Sequence, residues 1–303
     1  MKQPKVVCFG EVLWDDLPSG RKPGGAPMNV AYHLNKLGVE GVVISRVGED
    51  SDGEDLLEEL KNLGLKADYC QTDSEHSTST VNIKTNAENE PFYEIVSPVA
   101  WDYIEFEHSY VKLLEASDAF VYGSLSARNY LTRNTLHQLL RKAPYKIFDI
   151  NLREPFFKKD EVTYLLKEAS LVKMNLNELH ILHHWHDDIG NESEAGMVSS
   201  LMEKFNIDEI LLTKGGHGAC YYSKAYRFHS TAYKIEVKDT VGSGDSFLAA
   251  FLSKKLTGCK IKDALDFASA VGGFVATKPG ACPDYVQENI NDFITKGMAS
   301  NSP

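Results

Sequence analysis

A run of small residues beside a carboxylate occurs at residues 239–247, DTVGSGDSF, directly before an apolar helical pattern. The backbone amides of Gly242, Ser243 and Gly244, together with the start of that helix, would form a binding site for an anion. Asp245 falls in the first turn, where a carboxylate is either a helix cap, worth about 1 kcal/mol, or a reactive group. Because a cap needs no Gly-Ser-Gly approach, the pattern favours phosphoryl transfer, with Asp245 as the base that accepts the proton of the attacking hydroxyl.

Two common nucleotide-binding motifs are absent from the sequence. The last glycine of a GxGxxG dinucleotide fingerprint is replaced by Phe247, and no strand-GxGxxG-helix unit lies near the chain start. Neither GxxxxGKS nor GxxxxGKT occurs anywhere. The sequence therefore excludes a P-loop kinase. An NAD-dependent oxidoreductase would fit the general pattern of strands and helices, but its dinucleotide fingerprint is missing.

Short apolar, β-branched runs alternate with amphipathic helical patterns along the chain. Near-continuous apolarity is typical of parallel strands that are buried on both faces. The predicted strands cover residues 5–13, 41–47, 119–125, 146–150, 171–174 and 207–213, and the predicted helices cover residues 27–37, 52–63, 132–142 and 194–205. This alternation indicates an α/β fold, a doubly wound and mostly parallel sheet flanked by helices, in a single domain over residues 1–303.

Two segments break the alternation. Residues 77–101 have the pattern of a β-hairpin with a polar turn at 86–90, and residues 14–23 are polar with no room for a helix. The segments are either surface embellishments or parts of a small β lid over the carboxyl edge of the sheet, where open α/β sheets bind ligands. We favour a lid formed by residues 12–23 and 77–103, because candidate polar groups flank both insertions.

The charge balance limits the partners of the protein. Its 303 residues carry 32 Lys plus Arg against 43 Asp plus Glu, a formal net charge of −11. An acidic chain lacks the basic footprint of a nucleic-acid or anionic-membrane binder. The five widely spaced cysteines predict neither a disulfide framework nor a zinc site, and no apolar run approaches the ~18 residues of a membrane span. We expect a cytoplasmic protein with no nucleic-acid and no membrane partner.

The phosphate segment and several others resemble one family. DTVGSGD is similar to the DTxGAGD signature of the ribokinase-like (PfkB) sugar kinases, with Ser243 where the pattern most often has Ala. The rest of the chain carries, in the family's order, segments similar to its other motifs: GEVLWD, PGGAPMNVAYHL, DINLR, NLNE, TKGGHG and FASAVGGFVATKPGA. The GGAPxNVA form looks most like the fructokinases. The resemblance spans nearly the whole chain and implies a ribokinase-like fold.

The resemblance assigns the sugar side of the site to the N-terminal motifs. Gly24 and Gly25 would let the sugar approach the backbone, where Asn29 hydrogen-bonds a hydroxyl. On the pattern alone, the two glycines are a tight turn before a helix. Asp15 would accept hydrogen bonds from two sugar hydroxyls, with the adjacent Asp16 as the open alternative, and a solvated loop residue is the simpler interpretation of either.

The middle motifs would contribute to the phosphate side. On the pattern alone, Asn175 and Glu178 in NLNE are a helix cap with an acid in the first turn. The resemblance implies instead that Asn175 faces the nucleotide and that Glu178 helps to place Mg²⁺ through waters. Arg153 in DINLR, otherwise a surface cation, would lie by the transferring phosphate or the sugar.

The later motifs would hold the nucleotide. Thr213, Gly215 and Gly218 in TKGGHG form either a simple turn between strands or a loop that allows close approach of ribose and phosphates. Ser269 occupies the position near adenine where the family carries Asn or Ser. The resemblance also admits a monovalent cation such as K⁺, bound through the carbonyl of Asp239.

Together these assignments imply an ATP-dependent sugar kinase that converts D-fructose to fructose 6-phosphate. Asp245 would take the proton of the sugar's primary hydroxyl, the amides of Gly242 to Gly244 would hold the developing charge, and Mg²⁺ would bridge the ATP phosphates. Alternatives of the same class are a ribokinase, a 2-keto-3-deoxygluconate kinase and a nucleoside kinase. An alternative from a different class is a non-catalytic sugar-binding regulator. Such a protein needs no base, so the carboxylate of Asp245 argues against it.

The predicted lid carries two further expectations. Its aromatic residues Trp14, Phe92, Tyr93 and Trp101 would decide which sugar binds. An exposed β-edge must be covered or paired. Two lids packed together would therefore form a homodimer, an arrangement that the family resemblance also implies.

Overall fold

The computed structural model describes residues 3–17, 20–85, 91–186 and 193–300, so the turn predicted at 86–90 lies outside it. The strands are β1 (Lys5–Phe9), β2 (Leu13–Leu17), β3 (Gly20–Gly24), β4 (Glu40–Gly48), β5 (Cys70–Asp73), β6 (Ser79–Thr85), β7 (Pro91–Ile95), β8 (Ala119–Gly123), β9 (Tyr145–Asp149), β10 (Leu171–Asn175), β11 (Glu209–Thr213), β12 (Ala219–Ser223) and β13 (Arg227–Ser230).

The α-helices lie between and after these strands. They are α1 (Ala26–Lys36), α2 (Ser51–Asn62), α3 (His108–Glu115), α4 (Tyr130–Leu140), α5 (Lys159–Glu168), α6 (Leu176–His186), α7 (Glu194–Phe205), α8 (Ser243–Leu256), α9 (Ile261–Ala276) and α10 (Gln287–Ser300). Across the described ranges, the helices are all too short or too polar to cross a lipid bilayer.

The larger sheet has nine strands in the order β13-β12-β11-β10-β9-β8-β1-β4-β5. Seven neighbouring strands of this sheet, β5, β4, β1, β8, β9, β10 and β11, pair in parallel, and β12 and β13 continue it antiparallel. A mostly parallel sheet flanked by helices is the predicted fold class, which the structure confirms. The predicted helices are all present, with ends shifted by no more than two residues.

The two faces of this sheet bury two separate apolar clusters. Along β1, Val7 and Phe9 face the cluster that includes α3 to α7, and Val6 and Cys8 face the cluster that includes α1, α2, α8 and α9. Successive side chains on a strand point to opposite faces, so a strand covered on both sides must be apolar throughout. Helices on both faces thus explain the near-continuous apolar runs of the sequence.

A second sheet of four strands, in the order β3-β2-β6-β7, corrects two predictions. The strand predicted over residues 5–13 ends at Phe9, because Gly10 has φ of 141° and its missing Cβ would meet the Ser126 hydroxyl at 2.3 Å. Residues 14–23, for which the sequence excluded a helix and predicted no individual strands, mostly belong to β2 and β3. The predicted hairpin is confirmed as β6 and β7. Its role as a lid and the homodimer through this sheet stay predictions.

A buried ion pair ties the segment after β7 to the larger sheet. Asp102 is fully buried and accepts hydrogen bonds from Nε and Nη2 of Arg128 at 2.6 and 2.7 Å. The Arg128 guanidinium also donates to the Val96 carbonyl at 2.9 Å and stacks 3.8 Å from the centre of the Trp101 ring. Arg128 therefore contacts three residues of the segment that follows β7. These contacts fix where the small sheet joins the rest of the fold.

Substituting Asp102→Ala should reduce the free energy of unfolding by about 3–5 kcal/mol, because a buried guanidinium would lose its counter-ion. Urea denaturation measures the change. Asp208→Ala is the control, since its ion pair with Lys224 is exposed on both sides and should be worth less than about 1 kcal/mol. Equal losses in the two variants would contradict a structural role for the buried pair.

Candidate active site

A cavity of about 1140 Å³ opens at the carboxyl ends of the parallel strands. Glu11 follows β1, Asp149 ends β9, Asn175 ends β10 and Thr213 ends β11, and all four residues line the cavity. The small sheet, the start of α8 and the loop at 278–284 form the other walls. This is the edge at which open α/β sheets bind ligands, because the loops that follow their strands converge there.

The turn before α8 requires a glycine. Gly242 caps the helix with φ of 74°, and a Cβ at this position would lie 2.6 Å from Cα of Ala281. A larger residue would be strained in this left-handed conformation and would collide with the neighbouring backbone. The close contact brings the start of α8 against the loop that follows α9.

The amides at the start of α8 are mostly unused by the protein. The Ser243 amide donates to the Thr240 carbonyl at 3.2 Å. Within the described ranges, the amides of Gly242, Gly244 and Asp245 donate to no protein acceptor. A helix start with open N–H groups attracts anions. Of the three amides predicted to bind an anion, those of Gly242 and Gly244 are available, and the amide of Asp245 is available in addition.

Asp245 lies at the centre of a group of charges. Its Oδ2 accepts a hydrogen bond from Nδ2 of Asn29 at 2.8 Å. Burial and the negative charge of Asp149 raise the pKa of Asp245 to about 6, although the positive charges of Lys173 and Arg153 act in the opposite direction. A carboxylate with a pKa near 6 is ionised at neutral pH and is well placed to accept a proton from an attacking hydroxyl.

The structure decides which of two adjacent carboxylates faces the cavity. Asp15 lines the cavity, and a Cβ on Gly24 would lie 2.2 Å from its Oδ2. Asp16 points outward and pairs with Arg21, whose Nε lies 3.2 Å from Oδ1. Burial, followed by the charge of Asp16, raises the pKa of Asp15 to about 6. Of the two, Asp15 is the one that can accept hydrogen bonds from a ligand in the cavity.

The start of α1 forms the neighbouring wall. Gly25 has φ of 114°, and a Cβ on it would lie 2.3 Å from the carbonyl oxygen of Glu11. Asn29, one turn along the helix, is 4% exposed and lines the cavity. The glycine therefore lets the backbone pass close to the strand end, and this approach brings Asn29 to Asp245.

Glu178 and Asn175 form a reciprocal cap at the start of α6. The Asn175 amide donates to Oε2 of Glu178 at 2.8 Å, and the Glu178 amide donates to Oδ1 of Asn175 at 3.0 Å. Oε1 of Glu178 accepts from the Leu152 amide at 3.0 Å. The cap interpretation is thus confirmed, and the same carboxylate also lines the cavity, where each oxygen keeps a further lone pair for a metal or a water.

The structure brings most of the predicted site residues together. Those that line the cavity are Asp15, Gly25, Asn29, Arg153, Asn175, Glu178, Thr213, Gly242, Gly244 and Asp245. Those that lie outside its lining are Gly24, Gly215, Gly218, Asp239, Ser243 and Ser269. The cavity therefore contains most of the residues predicted for the sugar and phosphate sides. Ser269, predicted near adenine, and Gly215 and Gly218, predicted near ribose and phosphates, lie outside its lining.

Three residues outside the lining have structural contacts of their own. A Cβ on Gly218 would lie 2.0 Å from the Ser230 carbonyl, so this glycine permits the pairing of β12 with β13. The Asp239 carboxylate accepts from the amides of Val241 and Gly280 at 3.0 and 2.9 Å and joins the two loops that border the start of α8. Ser243 donates its hydroxyl to a carbonyl of α9.

The predicted aromatic residues have different positions. Trp14 lines the cavity and is held by a hydrogen bond from its Nε1 to the Asp52 carbonyl at 2.9 Å. Trp101 is fully buried beneath Arg128 and does not reach the cavity. The side chains of Phe92 and Tyr93 fall outside the described part of the chain. Among the aromatic residues named for sugar choice, Trp14 is therefore the one shown at the cavity wall.

Comparison with known proteins shows which family the chain belongs to. The sequence model of the pfkB family carbohydrate kinases matches residues 18–288, which is most of the chain. The chain belongs to this family. The resemblance seen in its motifs is thereby confirmed, and the protein is a sugar kinase.

Its relatives include fructokinases and ribokinases. The chain is 30% identical to a probable fructokinase-5 of Arabidopsis thaliana, with 92% of this chain and 94% of the relative covered, and 28% identical to fructokinase-2 of rice, Oryza sativa subsp. japonica, with coverage of 92% and 90%. A fructokinase from Xylella fastidiosa solved with bound ATP superimposes with a TM-score of 0.85 at 20% identity, covering 97% of this chain and 99% of that one. A putative ribokinase II from E. coli gives a TM-score of 0.83 at 20% identity, covering 97% and 100%. These structures confirm the fold.

Three buried charged residues at this sugar-kinase cavity, Glu11, Asp149 and Lys173, were missed by the sequence reasoning. Lys173 is buried in β10 and donates to both oxygens of Asp149 at 2.9 and 2.8 Å. Glu11 is 3% exposed, with Oε1 accepting from the Ala26 amide at 3.3 Å and Oε2 without a partner in the described structure. The available signal was a charged residue inside or directly after an otherwise apolar strand.

Burying the ionised carboxylate of Glu11 lowers the stability of the folded protein. Burial raises its pKa from an ordinary 4.5 to about 7, so the folded protein favours the neutral form. A raised pKa contributes stability that is complete below pH 4.5 and is lost as the pH rises through about 7. At pH 8, the protein therefore holds an unfavourably buried carboxylate.

Substituting Glu11→Gln should increase the free energy of unfolding by about 2 kcal/mol at pH 8, because glutamine stays neutral and keeps the oxygen that Ala26 needs. At pH 5, where glutamic acid is itself mostly protonated in the fold, the gain should nearly disappear. Urea denaturation at both pH values measures it, with Glu58→Gln on the exposed face of α2 as the control. An equal gain at pH 5 and pH 8 would refute the ionisation argument.

Proposed function

We propose that the protein transfers the terminal phosphoryl group of ATP to the primary hydroxyl of D-fructose, forming fructose 6-phosphate. The observation that carries this proposal is the position of the Asp245 carboxylate at the start of α8, held by Asn29 and next to the open amides of Gly242 and Gly244. The fructokinase names of several relatives and the GGAPxNVA motif support fructose as the acceptor.

Asp245 would act as the general base. Its Oδ2 is held by Asn29, which leaves the other carboxylate oxygen to face the sugar hydroxyl. As the hydroxyl oxygen bonds to the terminal phosphorus, the bond from that phosphorus to the bridging oxygen of ATP breaks, and the hydroxyl proton passes to Asp245. The raised pKa of Asp245 makes this transfer easier than it would be for an ordinary aspartate.

The start of α8 would stabilise the negative charge of the phosphoryl group during transfer. The amides of Gly242 and Gly244 donate to no protein group in the described residues, so they are available to phosphoryl oxygens. Each well-aimed donor of this kind is typically worth about 3 kcal/mol of barrier. Lys173 adds a positive charge close to the start of α8, since a Cβ built on Gly244 would lie 3.1 Å from its Nζ, and Arg153 adds a second one at the cavity wall.

The carboxylate at the start of α6 fits a magnesium ion. Among the described residues, no three His, Cys, Asp or Glu side chains gather into a complete ligand set. Glu178 offers the remaining lone pairs of a carboxylate that faces the cavity, which suits an ion that keeps most of its waters and binds phosphate oxygens. When bound there, Mg²⁺ would neutralise charge on the ATP phosphates. A monovalent cation such as K⁺ would bind near the Asp239 carbonyl, beside the loops that its carboxylate joins.

The acceptor sugar would bind between α1 and the small sheet. Asp15 presents a carboxylate from β2 and Asn29 an amide from α1, and Gly25 lines the cavity beside them. The small sheet would act as a lid that excludes water, which otherwise competes with the sugar as phosphoryl acceptor. A Cβ built on Gly280 would lie 3.4 Å from Cδ and Nζ of Lys22 in β3, so the small sheet comes close to the loop after α9.

Substituting Asp245→Asn should lower kcat by about 10²–10⁴-fold and leave ATP binding nearly unchanged, because the amide cannot accept the hydroxyl proton. In the unmodified enzyme, kcat/KM should fall at least tenfold per pH unit below about pH 6, because Asp245 and the proposed sugar-binding Asp15 both become protonated there. Steady-state kinetics and calorimetric titration with ATP measure both effects. Asp16→Asn is the matched control, since that carboxylate faces away from the cavity, and normal turnover by Asp245→Asn would eliminate the base.

Fructose should be the best acceptor in a coupled assay of ADP release across fructose, ribose, 2-keto-3-deoxygluconate, adenosine and tagatose. The comparison is made on kcat/KM at a fixed, saturating ATP concentration. A large preference for ribose, 2-keto-3-deoxygluconate or adenosine would replace fructose with that acceptor and keep the kinase. Sugar binding without any ADP release would favour a sugar-binding regulator.

A further inference from the structure

The amide of Asn29 lies between two partners of opposite character. Its Nδ2 donates to Oδ2 of Asp245 at 2.8 Å, and its Oδ1 accepts from the Cys282 thiol at 3.3 Å. The two ends of a carboxamide have almost the same shape, so the orientation of the group is decided by what each end contacts. A donor at one end and a carboxylate at the other both select the same orientation, with nitrogen toward Asp245.

The thiol is held in place from both sides along the chain. His33 donates from Nε2 to the carbonyl of Ala281 at 2.9 Å, and Tyr32 donates from its hydroxyl to the carbonyl of Pro283 at 2.8 Å. Both donors belong to α1, the same helix that carries Asn29. The residues before and after Cys282 are therefore fixed to that helix, and the distance from its sulphur to Asn29 is set by the fold.

The thiol is also in its hydrogen-bonding form. Burial, followed by the negative charges of Asp245 and Asp15, raises the pKa of Cys282 well above its ordinary value. The sulphur thus keeps its proton throughout the working pH range and acts as a donor to an oxygen. A thiolate at this position would instead repel the Asn29 oxygen.

We propose that Cys282 is a positioning residue for Asp245: its S–H group holds the Asn29 amide with the nitrogen facing the carboxylate. Without that donor, the amide is held at its nitrogen end only, and its hydrogen bond to Asp245 is less well fixed. The carboxylate would then lose part of a hydrogen bond that favours its charged form. The link to catalysis rests on the proposed function, whereas the orientation of the amide does not.

Other charges face Asp245 and are unaffected by the substitutions below. Those that influence Asp245, or that it influences, lie on the strand ends, the small sheet and the loop after β9: Glu11, Asp15, Asp149, Arg153 and Lys173. Because none of them changes between the variants, a shift in the pKa of Asp245 can be assigned to the Asn29 amide.

The test compares Cys282→Ala with Cys282→Ser, two side chains of nearly equal size of which only serine can donate a hydrogen bond. Cys282→Ala should raise the pKa of Asp245 by about half a unit, which is about a threefold loss of its charged form on the acid side. Cys282→Ser should stay near the unmodified protein. The pKa is read from the ¹³C carboxyl signal of Asp245, assigned by its loss in Asp245→Asn, and from the acid limb of kcat/KM.

Equal behaviour of the alanine and serine variants, or an unchanged Asp245 pKa in Cys282→Ala, would overturn the proposal. If Cys282→Ala fails to fold, Cys282→Val and Cys282→Thr make the same comparison, because they have the same shape and only threonine donates. A protein that phosphorylates no sugar would refute the proposed function, and the carboxyl signal would still test the role of Cys282.

Discussion

The hydrogen bond from Asn29 to Asp245 joins the first turns of α1 and α8, between residues 216 positions apart in the chain. The position of α1 is itself tightly fixed. On one side, Gly41 of β4 lets the helix approach so closely that a Cβ there would lie 2.4 Å from the Ala31 carbonyl. On the other side, Tyr32 and His33 bind the loop after α9. This single helix therefore sets the distance between the proposed sugar side and the proposed phosphate side of the cavity.

The negative charge of the protein repels the negative charge of its proposed substrate. ATP is a polyanion, the chain carries a net charge of −11, and the cavity wall adds buried carboxyl groups with pKa values raised by burial. Attraction must therefore be local, from the amides at the start of α8 and from the cations Lys173 and Arg153. The burial that weakens the fold at Glu11 also raises the pKa of Asp245, the proposed base, so stability and the proposed chemistry make opposite demands on this cavity.

Much of the fold and the site could be predicted from the sequence, and the failures have physical causes. The larger sheet was readable because strands buried on both faces must be apolar throughout. β2 and β3 were not, since their sequences LWDDL and GRKPG have neither a continuous apolar run nor a regular alternation, and β6, the second partner of β2, is distant in sequence. Asp245 and Asn29 were identified by motif. Glu11 and Lys173 were missed, because their importance arises from burial beside other charges and is visible only once the strand ends converge.

The pairing of β2 with β6 has a consequence for how the molecule assembles. The two strands are neighbours in the small sheet, yet α1, β4, α2 and β5 all lie between them in the chain. Closing so long a loop costs conformational entropy before the pairing can return any stability. We therefore expect the small sheet to form last in folding and to exchange its amide hydrogens first. If the small sheet opens without unfolding the larger one, it would admit a sugar and release the phosphorylated product. The part of the cavity formed by the larger sheet and α8 would stay intact.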